Sequence, residues 1–344
     1  MTSELVPSAP MPAGECLEPT ESAAQPRLRG AWLAKVALFY TLFVILFGAL
    51  VRVTGSGAGC GQHWPTCHGE LAHLPRSIET MIELTHRVTS GLSLVVVIAL
   101  VVVVRQLPPR HLARRGAWLS LLFLVFEALI GAGLVLFELV ADDTSGARAV
   151  VMPAHLVNTA LLMLVLTVTV WAIDRPAPVL AFTGAPVALM LGGLGLLIAV
   201  STTGALTALG DTLYPVTEGA ALSERVAEAR TGATLLERVR SLHPLLALFA
   251  ALYLFGVASY VKGIAPRQAQ LSSAFVLVLF VQLGIGVLNI WLSAPAWMQI
   301  VHLAVANVLW VLWVLLGLEL ASAARHQAHH ADPSRPSGPV SSLG

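Results

Sequence analysis

The sequence predicts an all-α membrane protein: eight transmembrane helices arranged as two pseudo-symmetric four-helix bundles, related by a parallel internal repeat. Three observations predict it. Hydrophobic residues make up 56% of the 344 positions and charged residues only 11%, against about 25% charged in an average soluble domain. Apolar runs of roughly the twenty residues that cross a hydrocarbon core recur near 33–52, 79–104, 115–140, 151–173, 180–208, 242–262, 271–293 and 297–322. The same residue landmarks return in both halves.

Taken in order, residues 1–30 carry Glu4, Glu15, Glu18 and Glu21 among prolines and alanines and are expected to form a disordered cytoplasmic tail. They lack the basic start and short apolar core of a cleavable signal, and the Arg-rich character of a transit peptide. A bacterial cytoplasmic membrane is the expected location. Residues 31–175 are expected to form an N-terminal bundle and 176–322 a C-terminal one. Residues 323–344, rich in His, Pro and Ser, read as a second disordered tail. In that tail His326, His329 and His330 read as solvated rather than metal-binding.

Lys and Arg in short loops face the cytoplasm. Arg27, Arg29 and Lys35 surround the start of the first run, Arg105, Arg110, Arg114 and Arg115 lie between the second and third, and Lys262 and Arg267 between the sixth and seventh. Both termini are therefore expected on the cytoplasmic side. The loop at 209–240 balances Arg225, Arg230, Arg238 and Arg240 with Asp211, Glu218, Glu224, Glu228 and Glu237, and being long it carries little topological weight. The net charge of +1 says nothing about partners. Membrane lipid is the expected surroundings, no nucleic acid is expected, and self-association stays open.

With four spans per half, the halves enter the membrane in the same sense and can be compared directly. Gly48-Ala49-Leu50 near the end of the first run matches Gly204-Ala205-Leu206, and His86 matches His243. Gly131-Ala132-Gly133 matches Gly284-Ile285-Gly286, and His155-Leu156 matches His302-Leu303. Gly48 to His86 is 38 positions and Gly204 to His243 is 39. Small residues at such places let helices approach closely in lipid, where packing holds a bundle together.

An ionisable side chain inside a membrane span needs a partner or water. His86, His155, His243 and His302 are expected in the first turn or two of the even-numbered helices, at one depth near the outer face. Two imidazoles facing each other across a four-helix bundle suit the axial positions of a haem iron. Each half is then expected to hold one haem, ligated by His86 and His155 in the first and by His243 and His302 in the second. The alternatives are histidines that merely reach for interfacial water, and zinc, for which two histidines per bundle fall short of four ligands.

The halves differ in instructive places. Glu83 lies three positions before His86, where the second half has Arg240 before His243. A carboxylate beside a haem can accept a proton, and a guanidinium suits haem propionates. Glu83 can equally be an interfacial charge paired with Arg87 or Arg76. The first outer loop, Thr54 to Gly69, contains Cys60 and Cys67 and has no counterpart in the second half. On an oxidising face these two can form a structural disulfide or a redox-active dithiol, while Cys16 stays reduced in the cytoplasmic tail. The glycines and Pro65 indicate a tight loop. Trp64 could rest at the interface or cover a haem edge, and His63 and His68 are weaker candidates.

The stretch from Gly48 through Val51-Arg52-Val53-Thr54-Gly55-Ser56-Gly57 to Cys60, then Trp64-Pro65, Cys67-His68-Gly69 and Glu83-Leu84-Thr85-His86-Arg87, resembles the haem A synthase family over most of residues 33 to 320. The resemblance implies oxidation of the C8 methyl group of haem O to a formyl group through hydroxylated intermediates, giving haem A for terminal oxidases. It implies that His86 and His155 flank the substrate haem O, that His243 and His302 ligate haem b, and that Glu83 is the catalytic acid–base. Cys60 and Cys67 match the cysteine pair of family members that have one in this loop. The implied partners are a haem O synthase (protohaem farnesyltransferase) that supplies substrate, an electron partner not visible in the sequence, and cytochrome oxidase assembly. Some relatives have a second cysteine pair before the sixth helix, and this chain has none at 209–240. Two other readings share the ligand set: a non-catalytic dihaem b-type electron carrier, and a haem carrier or assembly chaperone.

Overall fold

A computed structural model describes residues 21–70, 74–175, 180–214, 235–265 and 268–331. Eight long helices dominate the described residues: α1 (Glu21–Val53), α2 (Ile78–Val104), α3 (Leu112–Leu136), α4 (Gly146–Ile173), α5 (Ala185–Leu213), α6 (Leu235–Ile264), α7 (Ala269–Trp291) and α8 (Ala296–Ala331). All eight are long and apolar enough to cross a membrane, and no strand is found among the described residues. The chain is a multi-pass membrane protein.

Several helices begin earlier than the apolar runs, because hydropathy does not see the polar caps that start them. Ser77 accepts a hydrogen bond from the Thr80 N–H at 3.2 Å and starts α2. Ser145 does the same for Arg148 at 3.2 Å and starts α4 five residues ahead of the expected 151. Helix α1 already runs at Glu21, so the last ten residues of the stretch expected as a tail are helical, and α8 continues past 322 to Ala331. Residues 1–20 and 332–344 lie outside the described residues, as do the charges expected at Glu218, Glu224, Arg225, Glu228 and Arg230.

Helices α1 to α4 close a ring in which α1 packs on α2, α2 on α3, α3 on α4 and α4 on α1. Helices α5 to α8 close a second ring in the same order, and α1 and α4 meet α5 and α8 along the seam. Two polar latches cross that seam. At one end Arg52 of α1 donates to Ala208 O and Thr212 Oγ1 of α5, each at 2.7 Å, and to Gln299 Oε1 of α8 at 2.8 Å. At the other, Glu319 of α8 accepts from Trp171 Nε1 at 2.8 Å and from Arg175 Nη2 at 2.5 Å.

Tight packing concentrates at the Glu319 end. Val97, Leu100, Val104, Leu162, Leu166, Ile173, Leu254, Phe275, Trp313 and Leu316 are buried there. The indole of Trp313 occupies the groove left by Gly193 and donates to Met190 O at 3.0 Å. The outward faces are apolar, with Phe39, Leu122, Phe249 and Leu277 among many exposed hydrophobics, which suits a hydrocarbon solvent rather than water.

Candidate functional site

The opposite end, where α1 and α5 finish and α2 and α6 begin, is packed more loosely. No residue is buried from His86 to Leu92, from Arg240 to Phe249 or from Gln299 to Val308. All four histidines lie in these segments or in the matching part of α4. His86 lies eight residues past the start of α2, His155 nine past that of α4, His243 eight past that of α6 and His302 six past that of α8, so all four sit near the end of the second turn, about 9–14 Å along the helix axis at 1.5 Å per residue.

Each imidazole faces a glycine on the preceding helix. A Cβ on Gly48 would lie 3.1 Å from His86 Cε1, one on Gly204 3.0 Å from His243 Cε1, one on Gly286 3.4 Å from His302 Cε1 and one on Gly131 3.9 Å from His155 Cε1. His86 is within electrostatic reach of His155, and His243 of His302. Each pair therefore belongs to one bundle. Phe47 stacks parallel to the His86 ring, 9° between planes with centroids 5.9 Å apart.

The Nδ1 atoms have unlike surroundings. His243 Nδ1 is 3.1 Å from Thr203 Oγ1, and the Gln282 amide nitrogen lies 3.3 Å from His302 Nδ1 and 3.2 Å from its Nε2. Nδ1 of His86 and of His155 is buried without a hydrogen bond. Among the described residues no three His, Cys, Asp or Glu side chains converge as a metal-ligand group, so the donor sets on offer are the two histidine pairs.

Glu83 is 3% exposed and fully engaged. Its Oε2 accepts the Cys60 backbone N–H at 2.8 Å, and its Oε1 takes Arg87 through both Nε and Nη2. The ion pair with Arg87, rather than Arg76, is thus present. Arg87 also donates from Nη1 to His63 O at 2.5 Å and Thr66 O at 2.6 Å, so a single guanidinium ties the carboxylate to the first loop. Cys60 and Cys67 form a disulfide and are both buried. The loop lies flat on α2: Thr80 Oγ1 donates to Gly59 O at 2.7 Å, and a Cβ on Gly59 would strike the Glu79 backbone at 2.6 Å. His68 Nε2 lies 3.0 Å from Gly59 O, and Trp64 is 39% exposed.

Arg240, expected to suit a propionate, is committed elsewhere. It pairs with Asp211 at 2.9 Å and donates to Gly210 O at 2.5 Å and to Tyr214 O. Sequence reasoning passed over two polar residues that the fold brings to this end, Glu127 beside His155 and Gln282 beside His302, and named Arg52 only within the first-loop motif, without its place at the seam. The signal for Glu127 was available, since within the apolar run 115–140 it is the one charge away from the ends, where Arg115 and Glu138 lie, and intramembrane charges are functional candidates by default.

The sequence model of COX15-CtaA, described as cytochrome oxidase assembly protein, matches residues 31–81 and 75–314. The chain belongs to this family. It is 44% identical over 297 residues to a protoheme IX farnesyltransferase of Thermus thermophilus, an alignment covering 85% of this chain and 48% of that protein. Over a shorter stretch it is 43% identical, across 114 residues, to the heme A synthase of Staphylococcus haemolyticus, covering 31% of this chain and 36% of that protein. It is likewise 44% identical over 108 residues to a heme A synthase of Bacillus cereus, covering 31% and 34%. The chain thus spans about half the length of the Thermus relative it matches. Membership agrees with the resemblance carried by the first-loop motif, cysteine pair included.

Proposed function

We propose that the chain is a haem A synthase, oxidising the C8 methyl group of haem O to a formyl group through hydroxylated intermediates. The observation that carries this is the asymmetry between two otherwise parallel histidine pairs. Among the described residues, the half that holds His86 and His155 has a disulfide-closed loop and a carboxylate, Glu83, three positions before its first histidine, where the other half has Arg240 held by Asp211. The glycines opposite the imidazoles and the loose packing at their level fit planar macrocycles of haem size. His86 and His155 would hold the substrate, and His243 and His302 a haem b, which when bound exchanges single electrons.

The chain's own residues then orient and protect. Phe47 holds the His86 ring flat, and the loop from Gly55 to Gly69 covers the start of α2 against water. In this reading Glu83, held by the Cys60 N–H and Arg87, would accept the proton released at the reacting carbon, the electrons leaving to an acceptor outside this chain. The family membership and the two synthase relatives support this reading. The Thermus relative, named for farnesyl transfer to protohaem and matched over about half its length, supports a haem O synthase as the supplying partner. We further propose a bacterial cytoplasmic membrane with both termini cytoplasmic, from the Lys and Arg distribution.

One observation favours a dihaem electron carrier instead: both Glu83 oxygens are already occupied by donors. The deciding experiment is co-expression with a haem O synthase, followed by mass analysis of extracted haems from wild type and Glu83→Gln. Haem A from the wild type, with haem O or a hydroxylated intermediate accumulating in a variant that still holds haem, is the expected result. A haem-loaded wild type yielding only haem b and unaltered haem O would overturn the synthase reading and leave the non-catalytic ones.

A further inference from the structure

Glu127 is an acid in the middle of a membrane helix, and the fold holds it by its neighbours on α4. Asn158 Nδ2 donates to its Oε2 at 2.5 Å, and Thr159 Oγ1 donates to its Oε1. Asn158 also donates its second amide hydrogen to Phe123 O at 2.9 Å, while the single Thr159 hydroxyl hydrogen has Glu127 Oε1 and His155 O, the latter 3.0 Å away, as competing acceptors. Oε1 points along α4 to His155, 3.6 Å from its Nδ1. That is a little beyond a hydrogen bond, but the same Nδ1 is buried with no other acceptor. Once Nε2 is given to a metal, the proton of a neutral imidazole must sit on Nδ1, and Glu127 is the acceptor waiting for it.

We propose that Glu127 is a positioning residue for the haem of the first bundle: its carboxylate accepts the Nδ1 proton of His155, fixing the ring tautomer and raising the electron donation of Nε2 to iron. The inference rests on the reading of His155 as an axial ligand. Its physical basis is general. Carboxylate acceptors behind metal-bound imidazoles orient the ring and make it a stronger base, which stabilises ferric over ferrous iron. Among the described residues the second bundle shows no such device. The position aligned with Glu127 through the matched glycines is Phe280, and His302 meets instead the uncharged amide of Gln282. Two haems in similar bundles are thereby given different potentials, the lower one on the Glu83 side.

The test uses the full chain purified in detergent and loaded with haem b by expression without a haem O synthase. Redox titration and low-temperature electron paramagnetic resonance are read for the wild type, Glu127→Gln and Gln282→Glu. His155→Ala and His302→Ala assign each signal to its bundle. Glu127→Gln is expected to keep the haem content and to raise the midpoint of the His155-dependent haem by at least a tenfold change in equilibrium constant, about 59 mV. The other haem should not move. Gln282→Glu is expected to lower the midpoint of the His302-dependent haem, which keeps the idea testable if Glu127→Gln does not fold. Unmoved midpoints and unmoved g-values in haem-loaded variants overturn the role of Glu127 alone. A wild type whose haem content is indifferent to His155→Ala removes the ligand reading and this inference with it.

Discussion

Four glycines face the four imidazoles at graded distances, which makes a substitution series with its own internal ranking. Adding a methyl at Gly204 or Gly48 puts a carbon 3.0 or 3.1 Å from an imidazole Cε1, whereas at Gly286 it is 3.4 Å and at Gly131 3.9 Å. Carbon atoms pack best at about 3.5–4.0 Å. The first two substitutions therefore overpack, typically at about 1–3 kcal/mol, while every Gly→Ala change inside a helix returns about 1 kcal/mol of propensity. The net expectation is a loss of about 0–2 kcal/mol for Gly204→Ala and Gly48→Ala. Gly286→Ala should be close to neutral, and Gly131→Ala should gain up to about 1 kcal/mol. The assay is the unfolding midpoint in detergent together with haem retained per chain. Haem retention should fall in the same order, because a ring that holds iron cannot swing aside. Loss of haem in Gly131→Ala equal to that in Gly204→Ala would refute the steric argument and with it the assignment of these glycines as a cradle.

Other perturbations have equally direct readouts. Arg52→Met removes three hydrogen bonds across the seam. Hydrogen bonds to charged groups contribute about 1.5–3 kcal/mol each, so the unfolding midpoint should drop by several degrees. Arg52→Lys should recover only part of it, since one ammonium cannot span acceptors on two helices, and a midpoint unmoved in Arg52→Met would show the latch to be incidental. Cys60→Ser opens the loop closed between positions 60 and 67 and should cost about 2.5 kcal/mol on the chain-entropy estimate. Thiol titration and the unfolding midpoint with and without reductant measure it, and a reductant-insensitive wild type would argue against a stabilising role. Glu319→Gln weakens the acceptor shared by Trp171 and Arg175 and should lower the midpoint without altering the haem spectrum, as its distance from the histidine end requires.

Much of this was legible in the linear sequence. Eight spans follow from run length, because a helix that must satisfy its backbone inside lipid has few other solutions. The four histidines and their glycines were legible because they recur, and Glu83 because the recurrence fails there. Helix starts were not. Ser145 begins α4 five residues ahead of its apolar run, and capping rests on a backbone geometry that hydropathy ignores. Arg240 shows the limit of reading a charge by its type: a guanidinium placed beside His243 in sequence turns out to hold the end of α5 through Asp211, Gly210 and Tyr214.

The sequence by itself determined the membrane character, the number of spans and the recurrence of four histidines in the even-numbered helices, since each depends on local composition or on spacing along the chain. Only the tertiary structure decided which partners those residues meet. Glu127 and His155 are on different helices, and their approach to 3.6 Å depends on how α3 and α4 are turned about their axes. With about 3.6 residues per turn, a shift of one residue turns a side chain by roughly 100°, enough to aim Glu127 at lipid instead. That rotation is set by packing across the whole bundle, by Thr159, Asn158 and the small residues between the helices, and no single stretch of sequence contains it.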